Sequence, residues 1–275
     1  MNIQLPFLDY IYLDTGILSY ISKNADSSDE NIRYKFAMYC MHNKLLLAVS
    51  NINFIEISEA DRLFKNLTGV LLFSKPFLNY QEIIDQEIES YPAQLTKRSL
   101  CFETKSLLFE KDANGIVTNS LKLVREAGVI QKEFISKMCE NIINFKKNFS
   151  PNKDGKYGLN QLKKFETQLT EQILFYINPG FIKNLRSKLN ISLFKGIRLY
   201  CSYLFVKYYL AGRIPKDSDL GDFHHIFYIP YCKIIVVEKD MCSHLKLIQN
   251  NSDVLNHVEI HNKKFLDDTI KNYIC

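Results

Sequence analysis

Short apolar runs at the two ends of the chain each stop at a polar side chain and are followed by helical periodicity. Tyr10-Ile-Tyr-Leu13 reads as a buried strand ending at Asp14. Thr15-Gly16 then turn the chain and Ile17 to Ile21 begin a helix. Asn24 to Asp29 is a small, polar loop, and Asp29 is placed to cap a helix from Glu30 to about His42 with Ile32, Phe36 and Tyr39 on one face. Lys44-Leu-Leu-Leu-Ala-Val49 is a second buried strand, and Ser50 caps the helix that carries Ile52, Phe54, Ile55 and Glu56. Near the other end, Asp222 opens an amphipathic turn with His225 and Tyr228 at helical spacing, and Pro230 stops it. Ile234-Ile-Val-Val237 is β-branched and unbroken, which suits a strand buried on both faces of a parallel sheet. Helix Met241 to Gln249, a strand near His257 to Ile260 and helix Lys263 to Tyr273 complete the pattern.

Between Glu59 and Pro215 the strand signal nearly disappears. Helical periodicity recurs over Tyr80–Ser90, Gly115–Phe145, Gly158–Ile177 and Pro179–Ala211, punctuated by Pro92, Pro151, Pro179 and the Asn152–Gly155 turn. Phe134, Phe145, Phe165, Phe175, Phe194 and Phe205 fit the core of a helix bundle better than a platform for nucleobases. The predicted fold is α/β: a doubly wound parallel sheet formed by residues 1–60 and 215–275, with an inserted, mostly α-helical domain at 61–214. That insert exceeds the length of ordinary connecting loops.

Charge changes the picture through its distribution. Residues 1–100 hold nine basic and twelve acidic side chains, residues 101–215 nineteen and nine, and residues 216–275 seven and nine, so the middle carries the whole excess behind the net +5. A basic stretch beside acidic ones suits a metal-dependent enzyme acting on a polyanion, and equally suits solvated helix faces. Lys97-Arg98, Lys146-Lys147, Lys163-Lys164 and Lys183 with Arg186 are the candidate phosphate contacts. Seven scattered cysteines with no Cys-x-x-Cys point to reduced thiols rather than a disulfide or zinc framework. The first residues carry no basic-then-apolar leader, and Leu193–Leu210, the most apolar segment, contains Lys195, Arg198 and Lys207. The expectation is a cytoplasmic protein with no membrane partner.

Parallel strands send their carboxyl ends one way, so Asp14, Glu56, Asp222 and either Glu238 or Asp240 are expected at one edge of the sheet. Carboxylates gathered in one pocket repel unless cations neutralise them, and hard oxygen donors select Mg²⁺ or Mn²⁺. Each acid also has a plainer role: Asp14 as a helix cap, Glu56 as a surface residue, Asp222 as a first-turn partner of the helix dipole. Thr15, Ser19, Ser50 and His225 are their candidate supports. Ser50 reads as a cap orienting Glu56 rather than as a nucleophile, and His225 as a structural residue more than a substrate contact.

The set Leu13-Asp-Thr-x-Ile-Leu18, Ser50-x-x-x-x-x-Glu56, Asp222-x-x-His225-x-x-Tyr-x-Pro-Tyr-Cys232 and Val236-Val-Glu-Lys-Asp240 resembles the PIN-domain nucleases. The resemblance covers about 120 residues at the two ends and leaves the insert unmatched. It implies that Asp14, Glu56 and Asp222 hold Mg²⁺ or Mn²⁺, joined by Glu238 or Asp240, and that the chain cleaves single-stranded RNA as a toxin or defence effector. Gly16 stands where that family usually has asparagine, Lys233 where aspartate is frequent, and Val237 where a hydroxyl residue commonly follows the strand. The rival expectations are a catalytically weak module that binds nucleic acid or protein, and an interaction protein whose insert docks an inhibitor protein or a second copy in a homo-oligomer.

Overall fold

The structure, a computed structural model, describes residues 9–23, 32–58, 63, 66–67, 74–76, 80–92, 144–145, 147–181, 189–216 and 219–273. Its strands are β1 (Asp9–Leu13), β2 (Leu45–Val49), β3 (Ser74–Pro76), β4 (Ile234–Val236) and β5 (Glu259–His261). They form one sheet in the order β3-β2-β1-β4-β5, every pairing parallel. β1 is central: Ile11 and Tyr12 face Leu47 and Ala48 on one side and Ile234 and Ile235 on the other. The helices are α1 (Thr15–Lys23), α2 (Ile32–His42), α3 (Asn51–Ser58), α4 (Tyr80–Glu89), α5 (Leu162–Ile177), α6 (Lys195–Leu204), α7 (Asp219–Ile226) and α8 (Lys239–Gln249).

Both faces of the sheet are covered, which is why its strands read as unbroken apolar runs. Ile11, Leu13, Leu47, Val49, Ile234 and Val236 pack with Ile17, Leu18 and Ile21 of α1, with Ile32 and Phe36 of α2, and with Leu266 and Ile270. Tyr12, Ala48, Ile235 and Val237, one position along in each strand, join the opposite core with Phe165, Leu174, Ile197, Phe205, Phe223 and Leu245. Helices from the 61–214 stretch thus cover one face of the sheet.

The sheet is not made by the two chain ends alone. β3 comes from the stretch expected to be helical and pairs through Leu47↔Ser74, Ala48↔Lys75 and Val49↔Pro76. Three residues give no period to read, and Pro76 is tolerated because the strand lies at an edge. The continuous helix expected over Pro179–Ala211 is also interrupted. Asn190 caps a 3₁₀ turn at Ile191–Leu193, its Oδ1 accepting from Ser192 N at 3.1 Å, and α6 begins only after Phe194. α6 then widens into a π-helical turn, Phe205–Leu210, and stops before Gly212, whose φ of +65° is left-handed. The expected loop at Asn24–Asp29 and helix at Gly115–Phe145 lie almost wholly outside the described residues. Among the described residues no helix is long and apolar enough to cross a membrane.

Charged side chains sit inside the helical side of the core, Arg198, Glu166 and Glu87 among them. Arg198 of α6 donates Nε to Glu166 Oε1 of α5 at 2.6 Å, while Ser202 and Ser252 donate to Glu166 Oε2 at 2.6 and 3.0 Å. Glu87 of α4 is fully buried; its Oε1 accepts from Gly196 N at 2.7 Å and from the Tyr231 hydroxyl. Burial pushes the Glu87 carboxyl up to about 7 from 4.5, against the pull of those donors. Because the folded chain binds this proton more tightly than the unfolded one, the contribution is full below about 4.5 and is lost as pH rises through about 7. Glu87→Gln keeps an acceptor for both donors. It is therefore expected to match the wild type at pH 5 in urea unfolding and to exceed it at pH 8, by up to about 3 kcal/mol. The same offset at both pH values would show that Glu87 carries no linked proton.

Candidate active site at the carboxyl edge of the sheet

The strand order reverses at β1. The chain runs outward through β2 and β3 on one side, then returns to build β4 and β5 on the other. The crevice beyond the ends of β1 and β4 is where ligands bind in open α/β sheets. Asp14 directly follows β1, and Glu238 stands two residues past β4.

Asp14 is buried, and its carboxylate spans the two strand ends. Oδ1 caps α1 by accepting from Ile17 N at 2.8 Å, and Oδ2 accepts from Glu238 N at 2.6 Å. Burial pushes this carboxyl up to about 6; the nearby Glu238 charge adds to the rise, while His225 and the two N–H groups oppose it. Glu238 is exposed and its carboxylate lies over Gly16, where a Cβ would run into Oε1. Glycine at 16 thus leaves room for the Glu238 side chain to sit above the Asp14 turn.

Glu56 reaches the same crevice from α3, and Gly221 permits it, since a Cβ there would meet Glu56 Oε1. A chain of polar contacts runs from His225 beside Glu56 to Thr15, whose hydroxyl also lowers the Glu56 carboxyl. His225 is buried with Nε2 3.5 Å from Glu56 Oε2, and its Nδ1 bonds the Tyr12 hydroxyl. Tyr12 bonds Ser50 Oγ at 2.8 Å, and Ser50 Oγ donates to Asn53 Oδ1 at 2.9 Å. Asn53 Nδ2 donates to Thr15 Oγ1 at 3.1 Å, and the Thr15 hydroxyl bonds Glu56. With His225 protonated, every donor in these contacts is assigned once. Burial alone favours neutral His225, but the Glu56 bond and the charges of Glu56, Asp14 and Asp222 outweigh it and raise its pKa. Burial would likewise raise Glu56, yet its bonds to His225 and Thr15 carry the net shift downward. Adjacent His224 goes the other way: buried and stacked on Tyr80 at 4.6 Å, it is pushed down to about 4 by burial and by the His225 charge.

Asp222 occupies the first turn of α7, next to Gly221, which lies against Glu56. Its Oδ2 is held at 2.6 Å by Lys207 Nζ, from the π-helical turn, and Lys207 also reaches Asp219 Oδ1 at 2.9 Å. Lys207 is 1% exposed and is ringed by Tyr203, Tyr208 and Phe223, with its ammonium 5.5–5.9 Å from their centroids. Asp240 is 84% exposed at its side chain and lies 4.0 Å from Arg213 Nη1.

The crevice therefore gathers Asp14, Glu56, Glu238, Thr15, Ser50 and His225, with Asp222 alongside on its own cation. Ser50 is fully buried with its hydroxyl committed to Tyr12 and Asn53, which leaves it no role as a nucleophile. Tyr12, Asn53, Asp219 and Lys207 were not singled out from the sequence for this site. The Ser50-x-x-Asn53 spacing is a helix-start signal that points to Asn53. Of the candidate phosphate contacts, Lys147, Lys163 and Lys164 are exposed, and the others lie outside the described residues.

The donor chemistry, carboxylate oxygens with hydroxyl and amide support, is that of a hard divalent cation. Among the described residues no three of Asp, Glu, His and Cys stand close enough to share an ion as placed. Glu238 is exposed, and the Glu56 side chain is 32% exposed. No protein-family model, curated protein or solved structure matches the chain.

Proposed function

We propose that this protein is a PIN-like, Mg²⁺- or Mn²⁺-dependent endoribonuclease that hydrolyses single-stranded RNA in the cytoplasm. One observation carries the reading. Asp14 accepts from Glu238 N between the ends of β1 and β4, where the strand order reverses, and Glu56 lies beside a buried histidine whose charged form is favoured by Glu56 and by Asp14. A site for neutral ligands has no use for that concentration of carboxylate, whereas a phosphodiester brought together with a divalent ion does.

Asp14, Glu56 and Glu238 are the residues that would hold the ion. When bound, such an ion supplies Lewis acidity toward a phosphoryl oxygen and an acidified water for in-line attack. The chain's own part is preorganisation. The two backbone N–H donors orient Asp14, the contacts through Tyr12, Ser50, Asn53 and Thr15 orient Glu56, and His225 offsets the negative charge before a ligand arrives. With Ser50 buried, hydrolysis proceeds without a covalent enzyme intermediate. The basic middle of the chain, Lys163 and Lys164 among its exposed residues, gives the RNA backbone its attraction.

A second reading has its own support: Lys207 and His225 already balance Asp222 and Glu56, as in a catalytically weak module that binds nucleic acid or a protein partner. A metal titration separates the two. The enzyme cuts a single-stranded oligoribonucleotide with Mn²⁺ and stops with EDTA. The binder leaves the strand whole and shows only salt-sensitive affinity.

A further inference from the structure

We propose that Lys207 is a resident cation of the site, standing beside Asp222 where a second metal ion would otherwise sit, so that the centre takes one divalent ion and not two. This rests on the metal-dependent reading above. Its own basis is the placement of a buried ammonium. Lysine is rarely buried without a partner, and here the ammonium spans two acids of α7, at 2.6 Å from Asp222 and 2.9 Å from Asp219.

The two acids have different parts. Asp219 is buried and fully engaged, its Oδ2 accepting from the Tyr208 hydroxyl at 2.8 Å and from Lys216 N at 3.0 Å. It anchors the lysine from the protein side. Asp222 is 40% exposed and sits next to Gly221, which itself lies against the Glu56 carboxylate. Its Oδ2 is already taken by the ammonium. The Tyr203, Tyr208 and Phe223 rings surround the ammonium, so its charge is not dissipated into water. A divalent ion approaching Asp222 would meet a fixed positive charge on Oδ2 at close range, whereas Asp14, Glu56 and Glu238 have no lysine beside them among the described ion pairs.

The π-helical turn is what aims Lys207. Widening α6 at Phe205–Leu210 shifts the side chains after it relative to an ordinary helix, and such turns recur at functional sites. Lys207 is thus a positioning residue: it holds Asp222 and supplies its counter-charge.

Mn²⁺ binding to the purified chain, counted by electron paramagnetic resonance of the free ion, tests this without reference to cleavage. The wild type is expected to bind one Mn²⁺, Asp14→Asn to lose it, and Asp222→Asn to keep it with less than a threefold change in affinity. Lys207→Met with Asp219→Asn removes the ammonium and its buried anchor together, so no buried charge is left unpaired. If that double variant folds, it gains a second Mn²⁺ that Asp222→Asn abolishes. Two ions in the wild type, or a tenfold or greater loss of affinity in Asp222→Asn alone, overturns the role of Lys207 and leaves the metal-dependent reading standing. A folded double variant that still binds one ion also overturns it. No Mn²⁺ bound by the wild type overturns the metal-dependent reading, and this inference with it.

Discussion

Asp14→Asn is expected to fold, to keep its affinity for RNA, and to lose Mn²⁺-dependent cleavage by at least about a hundredfold. That is the upper end of what even outer-shell partners of a metal site cost when removed. The fold survives because asparagine caps helices about as well as aspartate and keeps an oxygen for Ile17 N. What changes is the other end of the side chain. An amide N–H₂ replaces Oδ2 opposite Glu238 N, so two donors face each other across the gap between the ends of β1 and β4. The anionic charge shared with Glu56 and Glu238 disappears at the same time. Circular dichroism and thermal unfolding establish the fold, and cleavage of a labelled oligoribonucleotide in Mn²⁺ reads the activity. A folded Asp14→Asn protein that cuts at the wild-type rate would sink the assignment of the crevice.

Arg198→Ala is expected to cost about 3–5 kcal/mol of stability, the range for breaking a buried ion pair from one side. The substitution leaves Glu166, 2% exposed, with two serine hydroxyls and no cation. The second limb, to Asp253 at 2.5 Å, matters less because that carboxylate is 65% exposed. Glu166→Gln combined with Arg198→Met removes both charges and is expected to recover most of the loss, since an apolar replacement for a buried pair is often near neutral. Urea unfolding of the two variants and the wild type decides it. If the double variant is as unstable as Arg198→Ala, the cost did not come from the orphaned carboxylate.

Both predictions concern groups whose sequence signals differ in kind. Asp14 was legible because a polar residue ending an apolar run has few places to go: the strand is central, its carboxyl end is fixed by the parallel direction, and a helix must start there. The same logic pointed to an acid just past β4, either Glu238 or Asp240, and placed Ser50 as the cap of α3. Arg198 and Lys207 were visible as charges inside the most apolar segment. A buried charge must find a partner, so the need was readable while the partners were not. Glu166 lies 32 residues from Arg198, and Asp222 lies 15 from Lys207, separations that no local period encodes.

What the amino-acid order determined by itself was local: four of the five described strands, the helix start at Ser50, and the parallel, doubly covered character of the sheet. All of these follow from the period of burial and from the backbone limits of proline and the capping residues. By contrast, α7 begins at Asp219 and not at Asp222. The tertiary structure alone decided the rest. It added the edge strand Ser74–Pro76, which is too short to carry a period, and it set Glu238 over Gly16 and Asp240 near Arg213. It linked His225 through Tyr12, Ser50 and Asn53 to Thr15, and gave Asp222 to Lys207. Hydrogen bonds and ion pairs act over a few ångströms in space, and only the packing of distant segments brings their partners within that reach.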